Sequence, residues 1–273
     1  MSDRAPFIAA AVAFGLVFLF VVAVLPESVP NAKLSDARTV SWIATMGQML
    51  RMFDPCPTRA RPNTAPWLIL FFFYYSCETE NGVLSALYTG LGNGTAVNLD
   101  ASEFGLLSAV SSLCKWLYLW LVLPMLVRWL GPARAPPVAI RCSTLVAGIA
   151  IALTGAAPSP AVLFCLAAVQ AVGMLTLPAM RAMLSLAHAP AEQGRVLGSI
   201  AIMETLATIV APILGGQLWK ATVEIHLAWL CFVVLGGTEV LVSFLTFVQT
   251  PLPAVREEEE VAVTAASVSG PLE

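Results

Sequence analysis

Seven runs of apolar residues, each close to the length that a helix needs to cross a lipid bilayer, constrain this chain more than any motif in it. A hydrocarbon core about 30 Å thick requires roughly 20 helical residues. The runs cover residues 7–25, 67–88, 104–129, 138–156, 161–187, 196–219 and 227–248. Only 11% of the residues are charged, against about a quarter in soluble domains. The sequence therefore predicts an all-α, polytopic membrane helix bundle of about seven transmembrane helices.

Turn-forming residues and composition divide the chain into four parts. Residues 1–26 are predicted to form a lone transmembrane helix, residues 27–65 a cytoplasmic loop, residues 66–250 a six-helix bundle and residues 251–273 an acidic, disordered cytoplasmic tail. Within the loop, residues 40–53 repeat apolar side chains at helical spacing but are too short to span. They predict an amphipathic helix at the membrane surface or against the cytoplasmic ends of the bundle.

Lysine and arginine are concentrated on one side of the predicted bundle. The loop at residues 27–65 is basic, and the loops on its side of the membrane hold Arg128, Arg134, Arg141 and Arg195. The positive-inside rule places these loops and the tail in the cytoplasm and the N-terminus outside or in a lumen. The plasma membrane or the vacuolar membrane is the expected location. Asn93, in Asn-Gly-Thr, is then a possible glycosylation site on the outer side.

The sequence lacks the motifs of membrane enzymes and metal centres. It contains no H-E-x-x-H or G-x-S-x-G motif, and its six cysteines form no C-x-x-C pair. Basic patches with interleaved aromatic residues, which are typical of nucleic-acid binding, are missing too. We expect no catalytic residue, no metal, no cofactor and no nucleic-acid partner. The lipid bilayer and a small-molecule substrate are the expected partners.

Charged side chains inside the spans are the candidates for function, because each costs at least about 2.5–3.5 kcal/mol at bilayer depth. Glu78 shares a helical face with other polar residues, and Lys115 lies on a comparable stripe of the next helix. The first face comprises Tyr74, Glu78, Asn81 and Ser85, and the second Ser108, Ser111, Ser112, Lys115 and Tyr118. We predict a Glu78–Lys115 ion pair or a shared polar cavity, serving either a substrate and proton pathway or a structural contact.

Three further carboxylates and an arginine lie within the spans. Arg181 and Glu204, each about two turns from the cytoplasmic side, are predicted to pair as a gate or as a helix latch. Glu239, near the middle of the last span, has no predicted partner and is a candidate protonation site in the pathway. Glu80 lies about 200° around its helix from Glu78 and is expected to point towards headgroups or water.

Prolines and glycines inside the spans predict kinks and close helix contacts. Pro124, Pro178 and Pro212 interrupt the helical hydrogen bonds of three spans. The glycine pairs at residues 215–216 and 236–237 allow neighbouring helices to approach closely. These features suit a bundle whose helices bend, but a static bundle accommodates them equally well.

One stretch of the chain carries a family resemblance. Pro178-Ala-Met-Arg181 is followed by Glu192-Gln-Gly-Arg-Val-Leu-Gly198 and then by Ala211-Pro-Ile-Leu-Gly-Gly216. This order resembles the tenth-to-eleventh helix region of major facilitator superfamily transporters, in the branch around the proton-coupled folate transporters and their fungal relatives. The specific match covers residues 161–219, and hydropathy and loop order extend it along the chain.

The resemblance implies that residues 7–25 correspond to the sixth helix and residues 67–248 to helices seven to twelve of a secondary transporter. It implies proton-coupled symport of a small organic solute by alternating access between two six-helix halves. The chain would then be a fragment, one of two paired chains, or a transport-inactive relative, and a missing N-terminal half is its expected partner. Gly131, Arg134 and Arg141 would occupy the loop of a degenerate gating motif.

A seven-helix receptor is the alternative from another class, since the predicted orientation is the same. The last span, however, has no lysine for a retinal Schiff base and no Asn-Pro near its inner end. A basic loop of about 40 residues after the first helix is also unusual for that class. A transport-inactive half-transporter with a partner role is the other alternative.

Overall fold

Six helical rods account for nearly all of residues 64–90, 97, 99–188 and 190–249, which are the residues that the computed structural model describes. Four rods are single helices: rod 1 is α1 (Ala65–Gly90), rod 3 is α4 (Ala135–Thr154), rod 5 is α7 (Pro190–Glu224) and rod 6 is α8 (Leu230–Val248). Rod 2 consists of α2 (Ala101–Leu117), a π-helical turn (Tyr118–Val122) and α3 (Leu123–Leu130). Rod 4 consists of α5 (Pro160–Gln170), a 3-10 segment (Ala171–Leu175) and α6 (Thr176–Leu186). Each rod overlaps one predicted span, which confirms the all-helical fold. The predictions for residues 7–25 and 40–53, for Asn93 and for the tail lie outside the described residues.

Five of the six rods are long and apolar enough to cross a membrane. The exception is rod 1, where Glu78, Glu80 and Asn81 interrupt the apolar sequence. Its 26 residues would still extend about 39 Å at 1.5 Å per residue. Large apolar side chains cover the outer surface of the rods, among them Trp129 and Phe244. Such a surface is consistent with a multi-pass membrane protein, although the count of seven helices is not confirmed.

The contacts between rods follow a repeated pattern. Rod 1 packs extensively on rods 5 and 6, rod 4 packs on rods 2 and 3, and rod 3 packs on rod 6. The same set of contacts results when rod 1 is exchanged with rod 4, rod 2 with rod 5 and rod 3 with rod 6. Because short connections make successive rods antiparallel, rod 4 runs opposite to rod 1. The contacts between the two sets of three rods therefore have the pattern that inverted repeats would produce.

Rods 3 and 6 approach each other where Gly148 of α4 faces Gly236 of α8. A Cβ atom on Gly148 would lie 2.8 Å from the carbonyl oxygen of Gly236, and a Cβ on Gly236 would overlap the backbone of Gly148 and Ala152. Glycine is needed for helices to approach this closely. The neighbouring Gly237 faces open space. The close contact predicted for the glycine pair thus depends on Gly236 alone.

Arg141 lies in the second turn of α4, and the loop position implied by the family resemblance is wrong. Its guanidinium donates hydrogen bonds of 3.1 and 2.9 Å to the carbonyl of Thr246 and one of 3.2 Å to that of Gln249. It also lies 5.0 Å above the ring of Phe247. These carbonyls end α8, where helix geometry leaves acceptors unpaired and favours a cation. Arg141 therefore fastens the end of α8 to α4.

The two helices that change type do so next to prolines. A proline lacks an N–H group and its ring clashes with the carbonyl four residues earlier. For Pro124 that residue is Trp120, in the π-helical turn, and for Pro178 it is Met174, in the 3-10 segment. The two distorted segments pack against each other. Pro212, in contrast, lies inside α7 without a change of helix type.

Asp100 fixes the start of α2. Its carboxylate accepts hydrogen bonds of 2.7 Å from the N–H of Glu103 and from the hydroxyl of Ser102, while Glu103 accepts one of 3.1 Å from the N–H of Asp100. This reciprocal capping holds the pKa of Asp100 below its ordinary value, through the Glu103 N–H first and the Ser102 hydroxyl second. The resulting stabilisation is present above the ordinary carboxyl pKa and is lost as the pH falls through the lowered one.

The glycine contact between rods 3 and 6 predicts opposite effects of one added methyl group at adjacent positions. Gly236→Ala should destabilise the bundle by about 1–3 kcal/mol, because the new Cβ meets backbone that cannot move away. Gly237→Ala is the matched control and should be neutral or slightly stabilising, since alanine favours a helix. The measurement is the temperature at which half of the solubilised protein leaves the monodisperse size-exclusion peak. Equal effects of the two substitutions would contradict the close approach.

Candidate functional site

A cavity of about 210 Å³ lies between α1, α2 and α5. The polar faces predicted on the second and third spans meet in it, because rods 1 and 2 both border this space. Its polar lining consists of Glu78, Asn81 and Ser85 from α1, Ser108, Ser111, Ser112 and Lys115 from α2, and Gln170 from α5. Phe104, Leu107 and Ala167 supply apolar wall. Gln170 was not among the residues that the sequence pattern singled out, because it comes from a helix that is distant in the chain.

Glu78 and Lys115 form the ion pair that the sequence predicts. The Nζ atom of Lys115 lies 2.6 Å from Oε1 of Glu78, and the two side chains are 33% and 16% exposed. Two charges on lipid-facing helices are tolerated when each is the other's partner. The cavity therefore contains one cation and one anion in contact and has no net charge from this pair.

Asn81 adds an unused hydrogen-bond acceptor beside this pair. The residue is 6% exposed and lines the cavity. Its Oδ1 atom has no hydrogen-bond partner within the part of the chain that the structure describes. Buried polar atoms are nearly always paired, and an amide oxygen accepts from N–H or O–H donors. Asn81 is thus positioned to accept a hydrogen bond from a molecule in the cavity.

A smaller cavity of about 30 Å³ adjoins the first. The two share Ser85, Leu107, Ala167 and Gln170 in their walls. The smaller one continues past Tyr88 and Thr89, towards the end of rod 1 at Gly90. Its volume is sufficient for one or two water molecules. Polar groups therefore follow one track from the ion pair towards that end of the bundle.

The two tyrosines of the predicted polar faces do not line the cavity. Tyr74 is fully buried, and its hydroxyl donates a 2.5 Å hydrogen bond to the carbonyl of Gly173 in the 3-10 segment. Tyr118 begins the π-helical turn of rod 2 and is not part of the cavity wall. Tyr74 instead fastens rod 1 to the distorted part of rod 4, so helical periodicity placed it on the correct face but not at the site.

Glu239 is a buried carboxyl group of α8, the helix that packs on α1. Its residue is 0% exposed, and neither carboxyl oxygen has a hydrogen-bond partner among the described residues. Ser243, one turn later, donates to the carbonyl of Arg141 instead. An ionised carboxylate without a partner in such a place would cost several kcal/mol. Glu239 therefore remains the candidate protonation site that its place in the sequence suggests.

Glu80 lies inside the bundle, so its expected orientation towards headgroups or water is wrong. The residue is 3% exposed, and a Cβ atom added to Gly215 of α7 would overlap its carboxyl group. Rod 5 packs on this face of rod 1, which the hydropathy of a single helix does not reveal. The glycine at residue 215 provides the space that the carboxyl group occupies.

Arg181 and Glu204 also pair as predicted, away from the cavity. The Nε atom of Arg181 donates a 3.1 Å hydrogen bond to Oε1 of Glu204, and Nη2 contacts the same oxygen. The contact joins α6 to α7, and the arginine remains about half exposed. A pair this exposed contributes little to stability in water. Its role as a latch or a gate stays a prediction.

Comparisons with known proteins assign no family to this chain. No protein-family model matches it, and no curated protein matches it. Within the described residues, no group of three or more histidine, cysteine, aspartate or glutamate side chains is arranged to hold a metal ion. Functional inference therefore depends on the geometry of the cavity.

The cavity predicts which serine positions water can reach. A cysteine at Ser111, in the cavity wall, should react with a small charged methanethiosulfonate reagent, whereas a cysteine at Ser143 should not, because Ser143 is buried against Thr176 at 2.6 Å. Intact-mass spectrometry of each variant against the parent chain counts the added label. Labelling at position 143 but not at position 111 would contradict a water-filled cavity at this place.

Proposed function

We propose that this chain is one half of a secondary transporter of the major facilitator type, which moves a small organic solute by alternating access in symport with protons. The observation that carries the proposal is the cavity that contains the Glu78–Lys115 pair. Charged groups inside a membrane bundle that face a cavity mark substrate and ion pathways. The resemblance of residues 161–219 to that family agrees with this interpretation.

The symmetric pattern of contacts between the rods supports a transport role. Transporters of this kind are built from inverted sets of helices, and their binding sites lie where the sets meet, near discontinuous helices. Here the cavity is bounded by rods 1 and 2 from the first set and by rod 4 from the second. Rods 2 and 4 are also the two that change helix type. Such changes within a helix often accompany functional bending.

Proton coupling is assigned to Glu239 rather than to Glu78. Glu78 is paired with Lys115, whereas Glu239 is buried without a counter-charge in contact among the described residues. Glu239 belongs to α8, which packs on α1, the helix that carries Glu78. In this proposal, a solute that opens the Glu78–Lys115 pair changes the electrostatic environment of Glu239. Solute binding and proton release are thereby linked.

A second set of six helices is the partner in this proposal. The cavity has walls from rods 1, 2 and 4, and alternating access requires another half to close the pathway from the other side. Arg181 and Glu204 then act as a latch near the cytoplasmic ends. The distribution of basic residues supports the cytoplasmic orientation of the tail in the plasma membrane or the vacuolar membrane.

Transport predicts a solute-evoked proton current. Vesicles from cells that make this chain together with its native partner half are tested by solid-supported-membrane electrophysiology against short amino acids, carboxylates and amines, with and without a pH gradient. Lys115→Gln should reduce the response at least tenfold, because it removes one half of the ion pair. Lys220→Gln is the matched control, since its pair with Glu224 spans 4.0 Å on an exposed helix surface.

Glu239→Gln separates the two roles when the uptake of radiolabelled solute is measured in the same vesicles. The variant should still move solute down its gradient but should no longer respond to the pH gradient, because glutamine keeps the shape of protonated glutamate and cannot release a proton. A Lys115→Gln response equal to that of the parent would contradict the solute site. A pH-driven response that survives in Glu239→Gln would contradict the proton assignment alone.

The partner half predicts the size of the native protein. A tag on the chromosomal copy should purify a product of about twice 28.9 kDa, or a second membrane chain together with this one. Denaturing electrophoresis distinguishes these two results. A tagged product of 28.9 kDa that runs as a lone monomer in native mass spectrometry would contradict the paired-half proposal.

A further inference from the structure

We propose that the solute of this cavity is a small zwitterion, with an amine and a carboxylate, which binds by replacing both partners of the Lys115–Glu78 pair. Its ammonium group takes the place of Lys115 beside Glu78, and its carboxylate takes the place of Glu78 beside Lys115. This inference rests on the proposed transport function and names the substrate class of the same site.

Charge balance distinguishes the possible solutes. In the empty cavity Glu78 and Lys115 satisfy each other at 2.6 Å. An anionic solute can replace only Glu78 beside Lys115, and the Glu78 carboxylate is then left without a cation in contact. A cationic solute can replace only Lys115 beside Glu78, and the Lys115 ammonium group is then left without an anion in contact. An unpaired charge is unfavourable at a partly buried site such as this one, where the two side chains are only 33% and 16% exposed. A zwitterion opens the pair and leaves both protein charges paired.

Hydrogen-bonding groups lie on the appropriate side of each charge. Asn81, three residues after Glu78 on α1, offers the unpartnered Oδ1 atom as an acceptor for an ammonium N–H. Ser111 and Ser112, four and three residues before Lys115, share its face of α2 and line the cavity. Their hydroxyl groups can donate to a carboxylate. The cavity wall near Glu78 thus accepts hydrogen bonds, and the wall near Lys115 donates them.

The size of the cavity limits the rest of the molecule. An apolar cavity of about 150 Å³ in another protein holds benzene. By the same ratio, 210 Å³ accommodates about eight or nine non-hydrogen atoms. Phe104, Leu107 and Ala167 leave a modest apolar surface for a side chain. An amino acid with a short side chain, or a short chain with an amine at one end and a carboxylate at the other, meets these limits.

Binding to the purified full chain tests the substrate class without requiring transport. The probes are L-alanine, L-proline and 4-aminobutyrate, which differ in the separation of their charges, with propionate as the matched anion and ethylamine as the matched cation. The readout is the shift of the apparent Tm in nanodiscs, followed by intrinsic fluorescence and titrated with each probe. At least one zwitterion should bind at least about tenfold more tightly than both single-charge controls.

Variants of the pair give a second readout. Glu78→Gln and Lys115→Gln should each weaken zwitterion binding at least about tenfold. The double variant Glu78→Lys/Lys115→Glu retains one cation and one anion and should bind more tightly than either single variant. Lys220→Gln should bind like the parent chain. The comparison of probes on the parent chain does not depend on whether any variant folds.

The outcomes separate this inference from the proposed function. Tight binding of propionate, with a loss in Lys115→Gln and none in Glu78→Gln, would overturn the zwitterion and leave a transporter of anions. Equal, weak binding of zwitterions and single-charge probes would overturn the zwitterion as well, and the vesicle currents would then decide the transport proposal alone. Binding of a zwitterion that is insensitive to both substitutions would place it elsewhere and overturn the inference.

Discussion

A charge held among lipid-facing helices must be met by another part of the protein, and most of the structure follows from that constraint. Glu78 and Lys115 meet each other across two neighbouring rods, so their pairing determines how α1 and α2 face one another around the cavity. Arg141 meets the last carbonyls of α8 and joins two rods that also meet at the Gly148–Gly236 approach and through the hydrogen bond from Ser243 to the Arg141 carbonyl. Glu239 has no such partner among the described residues, and this is why it is the candidate to carry a proton.

Local helix chemistry and long-range packing act on the same residues in rods 2 and 4. Pro124 and Pro178 free carbonyl groups in their own helices, and the chain responds with a π-helical turn in one rod and a 3-10 segment in the other. The hydroxyl of Tyr74 donates to one of the carbonyls in the 3-10 segment. The distortion is therefore supported from rod 1, the same rod that carries Glu78. Bending of rod 4 and the position of the ion pair are mechanically connected through this contact.

The sequence predicted the elements that depend on one helix at a time, and it missed those that depend on which rods pack together. Hydropathy placed all six rods, and helical periodicity brought Glu78 and Lys115 to the same cavity, because both follow from spacing along one helix. Glu80 was misplaced because rod 5 covers its face, and rod 5 lies more than a hundred residues away in the chain. Packing between distant rods likewise places Gln170 in the cavity wall and Tyr74 outside it. Arg141 was assigned to a loop because a family pattern was transferred to a segment in which α4 begins six residues earlier.

The neutrality of the Glu78–Lys115 pair has an energetic consequence for work against an electric field. Moving one elementary charge across a potential of 100 mV involves about 2.3 kcal/mol, but a cation and an anion in contact move through the field together with almost no net work. If the site stays neutral when a solute loads, the membrane voltage acts almost entirely on the proton of Glu239. In the proposed transporter, the chemical gradient of the solute and the electrical gradient would then act on different residues of one bundle.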